Sequence, residues 1–115
     1  MAEPMFTPVG EGERITEREH RVLVELPHLE ALILCFEPDW EGVDPHTHAD
    51  HTDSFYVLDG EVEFWLDGAW RPAGPGTFVS APPNVEHGFR PAGTGPISVL
   101  NIHAPNVGFI ERLRS

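Results

Sequence analysis

His46-Thr47-His48-Ala49-Asp50-His51-Thr52-Asp53-Ser54-Phe55-Tyr56-Val57-Leu58-Asp59-Gly60 is the most informative stretch of this chain. Residues i and i+2 of an extended strand face the same way, so His46 and His48 can reach one ion. Asp53, on the following strand, can add a carboxylate. An H-x-H pair alone is a weak signal, and beside the turn dipeptide Asp44-Pro45 both histidines also read as loop residues. What adds weight is their company: the apolar run Phe55 to Leu58, the turn residue Gly60, and a distant His87 that follows Gly76 and Pro82. Together these point to a mononuclear metal site on a small β-barrel.

Outward from this stretch the chain reads as short strands with little between them. The expected spans are His20 to Leu26, Leu29 to Phe36, His46 to His51, Asp53 to Leu58, Glu61 to Asp67, Ala69 to Arg71, Thr77 to Ser80, Val85 to Arg90 and Pro96 to His103. Val62, Phe64 and Leu66 alternate with Glu61, Glu63 and Asp67, the period of a strand with one buried face, and Trp65 interrupts the polar side. Asp59-Gly60 and Asp67-Gly68 are hairpin signals. Strands at this spacing predict an all-β barrel or jelly roll. Residues 1–13, rich in Pro, Gly and Glu, read as a loose arm in preference to an edge strand. Residues 14–104 form the barrel. In 105–115, Phe109, Ile110 and Leu113 fit a short helix with Asn106 as a possible cap.

Both halves of the histidine pattern resemble the cupin motifs G-x5-H-x-H-x(3,4)-E-x6-G and G-x5-P-x-G-x2-H-x3-N. His46 and His48 hold the first two histidine positions, Asp53 falls at the glutamate, and Gly60 closes the first motif. Gly42 lies closer to His46 than the family spacing asks. In the second motif Gly76, Pro82 and His87 are in register, Asn84 replaces the glycine and Pro91 the asparagine. Asn tolerates the left-handed backbone of a tight turn. The resemblance spans roughly Leu29 to His103, with fifteen residues, Glu61 to Pro75, between the motifs. It implies a double-stranded β-helix, a jelly-roll barrel of the small single-domain bacterial type, with one divalent metal held by His46, His48, His87 and Asp53.

Composition narrows the partners. Seven arginines and no lysine oppose nineteen acidic residues, leaving a formal charge of −12. A phosphate backbone would be repelled, so nucleic acid is not expected, and lysine Schiff-base or P-loop chemistry has no residue to carry it. No stretch approaches the ~20 apolar residues of a membrane span and no signal peptide is visible, so a cytoplasmic protein without a membrane partner is expected. Cys35, alone in an apolar run, reads as a small buried hydrophobe. Apolar residues on both faces of Ile97 to Ile102, with Trp40, Trp65 and Trp70, suggest a homodimer.

Neutral imidazoles with at most one carboxylate suit Fe, Mn, Co, Ni, Cu or Zn and not Ca or Mg. Asp53 has a second reading as a strand-start cap, and its side chain reaches about 1.3 Å less far than glutamate. His51 and His103 read as residues around the site that could replace Asp53, or as the acid/base groups of a reaction. Asn101 shares a face of the last strand with His103. Glu86, on the opposite face from His87, reads as solvated. The resemblance implies a mononuclear metal-dependent enzyme of dioxygenase type acting on a small organic substrate. The alternatives are a metal-dependent isomerase and a non-catalytic module that binds or senses a small ligand.

Overall fold

Inward-facing Val62 and Phe64 are sealed from solvent while Glu63 and Trp65 between them are only half-buried, the alternation anticipated for this strand. The same period runs through Phe78–Ala81 and Ile97–Ala104, whereas Leu29–Phe36 is buried on both faces over most of its length. The structure is a computed structural model describing residues 4–115. These residues form strands β1 (Glu13–Ile15), β2 (His20–Leu26), β3 (Leu29–Phe36), β4 (Val43–His46), β5 (Thr52–Asp59), β6 (Val62–Leu66), β7 (Ala69–Ala73), β8 (Phe78–Ala81), β9 (His87–Pro91) and β10 (Ile97–Ala104), then helix α1 (Phe109–Arg114). They build a six-stranded sheet, ordered β1-β2-β3-β10-β5-β8, facing a four-stranded one, ordered β4-β9-β6-β7, with every pair antiparallel. This is a jelly-roll barrel, all-β with one short C-terminal helix.

Leu32, Leu34, Phe55, Val57, Val62, Phe64, Phe89, Ile97 and Val99 fill the space between the sheets. Phe89 packs against both Phe55 and Phe64, at centroid separations of 5.1 and 5.4 Å, and so joins the two layers. The two Asp-Gly pairs do different jobs. Asp67 and Gly68, with φ of 46° and 110°, make the tight hairpin between β6 and β7. Asp59-Gly60 makes no hairpin, because β5 and β6 belong to different sheets. Gly60, at φ 87°, turns the chain across the barrel where a Cβ would meet the Pro96 carbonyl oxygen at 2.5 Å.

Several local expectations are corrected. The stretch before Glu13 includes a 3-10 turn, Val9–Glu11, and Glu13 itself opens an edge strand on β2. Residues 1–3 of the expected arm lie outside the described residues. Strand β4 ends at His46, and residues 47–51 leave the sheet as a loop. Glu86 is not merely solvated, since its carboxylate accepts the Trp65 indole N–H at 2.6 Å. Asn106 is not the helix cap. It accepts from the Gly108 N–H at 2.8 Å, while the N–H groups of Phe109 and Ile110 donate to the buried carboxylate of Glu30. No helix among the described residues is long and apolar enough to cross a membrane.

Candidate metal centre

Strand register assembles the site. His46 is paired with His87 across β4 and β9, and their ring centroids lie 4.5 Å apart. Gly88 permits this approach, because a Cβ there would stand 2.6 Å from the Val43 carbonyl oxygen. His48 lies in the loop beyond β4, so strand alternation is not what aligns it with His46. Its carbonyl accepts the Asn84 N–H at 2.6 Å, and Asn84 holds φ 70°, the left-handed turn expected of a residue in the glycine position. Asp53 sits on β5 opposite His103 of β10, two register pairs from Asn101 and so on the same face of the sheet.

The ring nitrogens are oriented from behind. His46 Nδ1–H donates to the Asp44 carbonyl at 2.8 Å, and His87 Nδ1–H to the Val85 carbonyl at 2.9 Å. Their Nε2 lone pairs therefore aim inward, the arrangement that outer partners impose on metal-ligating histidines. His46 Nε2 is 2.9 Å from His48 Nε2, His87 Nε2 is 3.1 Å from Asp53 Oδ2, and His48 Nε2 is 3.8 Å from the same oxygen. With metal–ligand bonds of about 2.1 Å, ligands at right angles lie about 3.0 Å apart and tetrahedral ones about 3.4 Å. The two short separations match right-angled neighbours. All four donor atoms lie within 4.8 Å of one another. Acceptor lone pairs this close repel unless a cation or extra protons lie between them, so the donor set fits an ion.

His51, Asp53 and His103 form a second cluster within the same 4.8 Å limit, all buried. His51 Nδ1 is held by Asp50 at 2.8 Å. His103 bridges two carboxylates, with Nδ1 3.2 Å from Glu30 Oε2 and Nε2 3.3 Å from Asp53 Oδ1. Asn101 donates to Asp53 Oδ1 at 2.8 Å and to the Ser54 carbonyl at 3.0 Å.

Charge follows from these contacts. Burial opposes ionisation of Asp53, but hydrogen bonds from His103, His87 and Asn101 outweigh it and hold the carboxyl well below the usual range. Burial likewise opposes the charged forms of His87 and His103, and Asp53 overcomes it in both, moving them upward. His48 is moved downward by burial and then by the neighbouring imidazoles of His51, His46 and His87. The ring is therefore held neutral at neutral pH, with one of its two nitrogens free of a proton.

The cluster lines a cavity of about 570 Å³ whose walls include Leu34, Phe36, Trp40, Val43, Phe55 and Phe89. Phe36 and Trp40 stack at 3.7 Å between centroids. A mostly apolar enclosure with a few convergent polar groups is what a small-molecule site requires. Two residues that sequence reasoning does not single out matter here. Glu30 is the one charge inside the apolar run Leu29 to Phe36, a legible anomaly, while His20 carries no sequence signal beyond its type.

Fold and site thus define a small jelly-roll barrel with a histidine–carboxylate cluster able to hold a metal ion. The family model described as the cupin domain matches residues 32–103, and the chain belongs to the cupins. Quercetin 2,3-dioxygenase of Bacillus subtilis is 29% identical over 94 residues, covering 77% of this chain but 28% of its own length. A putative sugar phosphate isomerase from Acidithiobacillus ferrooxidans superposes with a TM-score of 0.68 at 27% identity, covering 76% of this chain and 58% of the other. An RmlC-like cupin from Shewanella frigidimarina aligns over 91% of this chain and 94% of its own, with a TM-score of 0.73 at 21% identity, and speaks to the fold alone.

Proposed function

We propose that this protein is a mononuclear metal-dependent enzyme of dioxygenase type acting on a small organic molecule. The observation that carries the proposal is the convergence of His46 Nε2, His48 Nε2, His87 Nε2 and Asp53 Oδ2 inside a largely apolar cavity. The similarity to quercetin 2,3-dioxygenase supports the reaction class, although this chain spans little more than a quarter of that protein. When bound, a divalent transition metal would supply Lewis-acid activation of a substrate oxygen and a path for electrons between substrate and O₂. Four protein donors leave room for further ligands on such an ion.

The chain's own groups divide the remaining work. Phe36, Trp40, Phe55 and Phe89 exclude water and receive the body of the substrate. His51, oriented by Asp50, is placed to accept or return a proton at Nε2. His103, clamped between Glu30 and Asp53, positions the carboxylate. The test is metal analysis of untagged protein, then oxygen-uptake measurements against phenolic and diketone substrates with each reconstituted metal. Stoichiometric metal with no uptake across that panel would replace this reading with a non-catalytic ligand-binding cupin.

Assembly as a homodimer is part of the same proposal, but its support differs from the sequence argument. Trp40 lines the cavity, and Trp65 and Trp70 pack on each other at 5.5 Å. The apolar surface lies elsewhere: Phe78, Tyr56 and Leu100 fall in one register row on the outer face of the six-stranded sheet, with Leu58 exposed beside them. Light scattering at tens of micromolar should return twice the chain mass, and Tyr56→Glu with Phe78→Glu should return the monomer.

A further inference from the structure

The cavity is polar at two places, and only one of them is the metal cluster. His20, Arg18 and Arg112 also line it. His20 is 4% exposed, and its Nδ1 accepts the Cys35 backbone N–H at 3.0 Å, which fixes its proton on Nε2. No protein acceptor meets that N–H among the described residues, so it is available to a ligand. Burial and then the nearby Arg18 push His20 down to about 4, which leaves a neutral ring with a fixed donor at physiological pH.

The arginines are unusual for this chain. Arg14 and Arg21 pair with Glu19, Arg90 with Glu63, and Arg114 with Glu13, Glu25 and Glu111. Arg18, Arg71 and Arg112 have no carboxylate partner among the described residues, in a protein of net charge −12 where acids outnumber bases by nineteen to seven, and of these three Arg18 and Arg112 line the cavity. Arg18 lies over Phe36, its guanidinium carbon 5.3 Å from the ring centroid, and Arg112 is tethered by one N–H to the Val107 carbonyl at 2.9 Å. The tether leaves its other donors free. Asp50, the exposed acid of the lining, is turned onto His51 instead. Two unpaired cations at the solvent side of an aromatic-walled cavity in an acidic protein attract an anion and little else.

We propose that Arg18, Arg112 and His20 form an anion subsite, and that the cavity takes a small acid with a flat apolar body, its carboxylate held there while its other end approaches the histidine cluster. This deepens the enzyme reading above by naming a substrate class, and rests on it for the role of the far end only. Phe36 and Trp40, stacked on each other, line the same cavity and offer a planar body aromatic faces to pack on.

The test compares 2-naphthoate with its uncharged isostere 2-naphthamide by titration calorimetry, on metal-loaded protein and after chelation. Charge-assisted hydrogen bonds should make the acid bind about tenfold tighter or more. That preference should persist after chelation and should fall below about threefold in the double variant Arg18→Gln with Arg112→Gln. The variant should keep naphthamide binding and metal content, since both arginines are exposed and touch no ligand of the cluster. His20→Phe should weaken both probes, and if it fails to fold the arginine variant still decides. Equal binding of acid and amide overturns the subsite. So does a preference that vanishes on chelation yet survives the arginine substitutions, because the carboxylate would then sit on the ion. A preference that depends on the arginines in a protein that binds no metal keeps the subsite and discards the enzyme reading.

Discussion

Glu30 and Asp53 are both buried carboxylates, they lie on either side of the His103 ring, and they are satisfied in opposite ways. Glu30 collects N–H donors: the backbone amides of Val107, Phe109 and Ile110 at 3.1, 3.1 and 3.0 Å, together with His103 Nδ1. Burial alone would raise its pKa, and these donors bring it below the usual value. Asp53 has one committed amide donor, Asn101, and otherwise faces imidazole nitrogens; the one on His87 has its other ring N–H already given to a carbonyl. A carboxylate filled by backbone donors is an anchor, whereas one ringed by imidazole nitrogens is a place for a cation, whether a metal ion or the protons of those rings. The contrast separates what holds the tail on the barrel from what gives the barrel chemistry.

The sharpest way to break the contrast is to remove an imidazole on the Asp53 side. His87→Ala should lower metal affinity by more than the ~10 to 100-fold typical of outer-shell losses, while β-sheet circular dichroism is retained, because the core is apolar and does not need the ion. Tight metal retention in that variant, measured by elemental analysis, would mean the site is misplaced. On the other side, Glu30→Ala leaves three amides and His103 without their acceptor and should cost about 3–5 kcal/mol of folding stability by denaturant titration. A loss under 1 kcal/mol would deny that Glu30 is an anchor.

Asp53→Asn sharpens the same comparison more gently. It should weaken metal binding by ~10 to 100-fold and leave the fold intact, whereas His51→Ala should change affinity little. If the order of those two reverses, the ion is held by histidines alone. The smallest expected effect is on stability against pH in chelated protein. Folded values of His87 and His103 are raised, so their contribution is present below the unfolded value near 6.5 and is lost as pH rises through the higher folded value. His20 is lowered to about 4, so the folded state resists a proton that the unfolded chain accepts, and stability is lost as pH falls from about 6.5 towards 4. Melting temperature should therefore peak near pH 6.5, and Asp53→Asn should flatten the alkaline side. An unchanged alkaline slope in that variant would remove Asp53 as the cause.

Much of this was legible in the sequence because it depends on local patterning. β2 and β3 match the expected spans residue for residue, since each is an alternating or fully apolar run closed by turn residues. The grouping of His46, His48, Asp53 and His87 was legible because the motif spacing encodes which strands meet. The loop geometry of His48 was not, as nothing local marks the point where β4 leaves the sheet. Asp59-Gly60 misled for a related reason: a left-handed turn looks alike whether it closes a hairpin or crosses between sheets. Glu30 and His20 take their roles from residues far along the chain. Glu30 meets Ile110 across 80 positions, a pairing that composition and periodicity do not carry.

Because Glu30 Oε2 meets both His103 Nδ1 and the amides of Val107 and Phe109, while Oε1 takes the Ile110 amide, the C-terminal segment and the histidine cluster are mechanically one unit. A chain shortened after Ala104, or a purification handle that pulls α1 off the barrel, would strip Glu30 of its amide donors and leave His103 as its main partner. The imidazole would then be drawn away from Asp53, and metal affinity would change although no ligand had been touched. Tail engineering in this protein should be assayed as though it altered the histidine cluster itself.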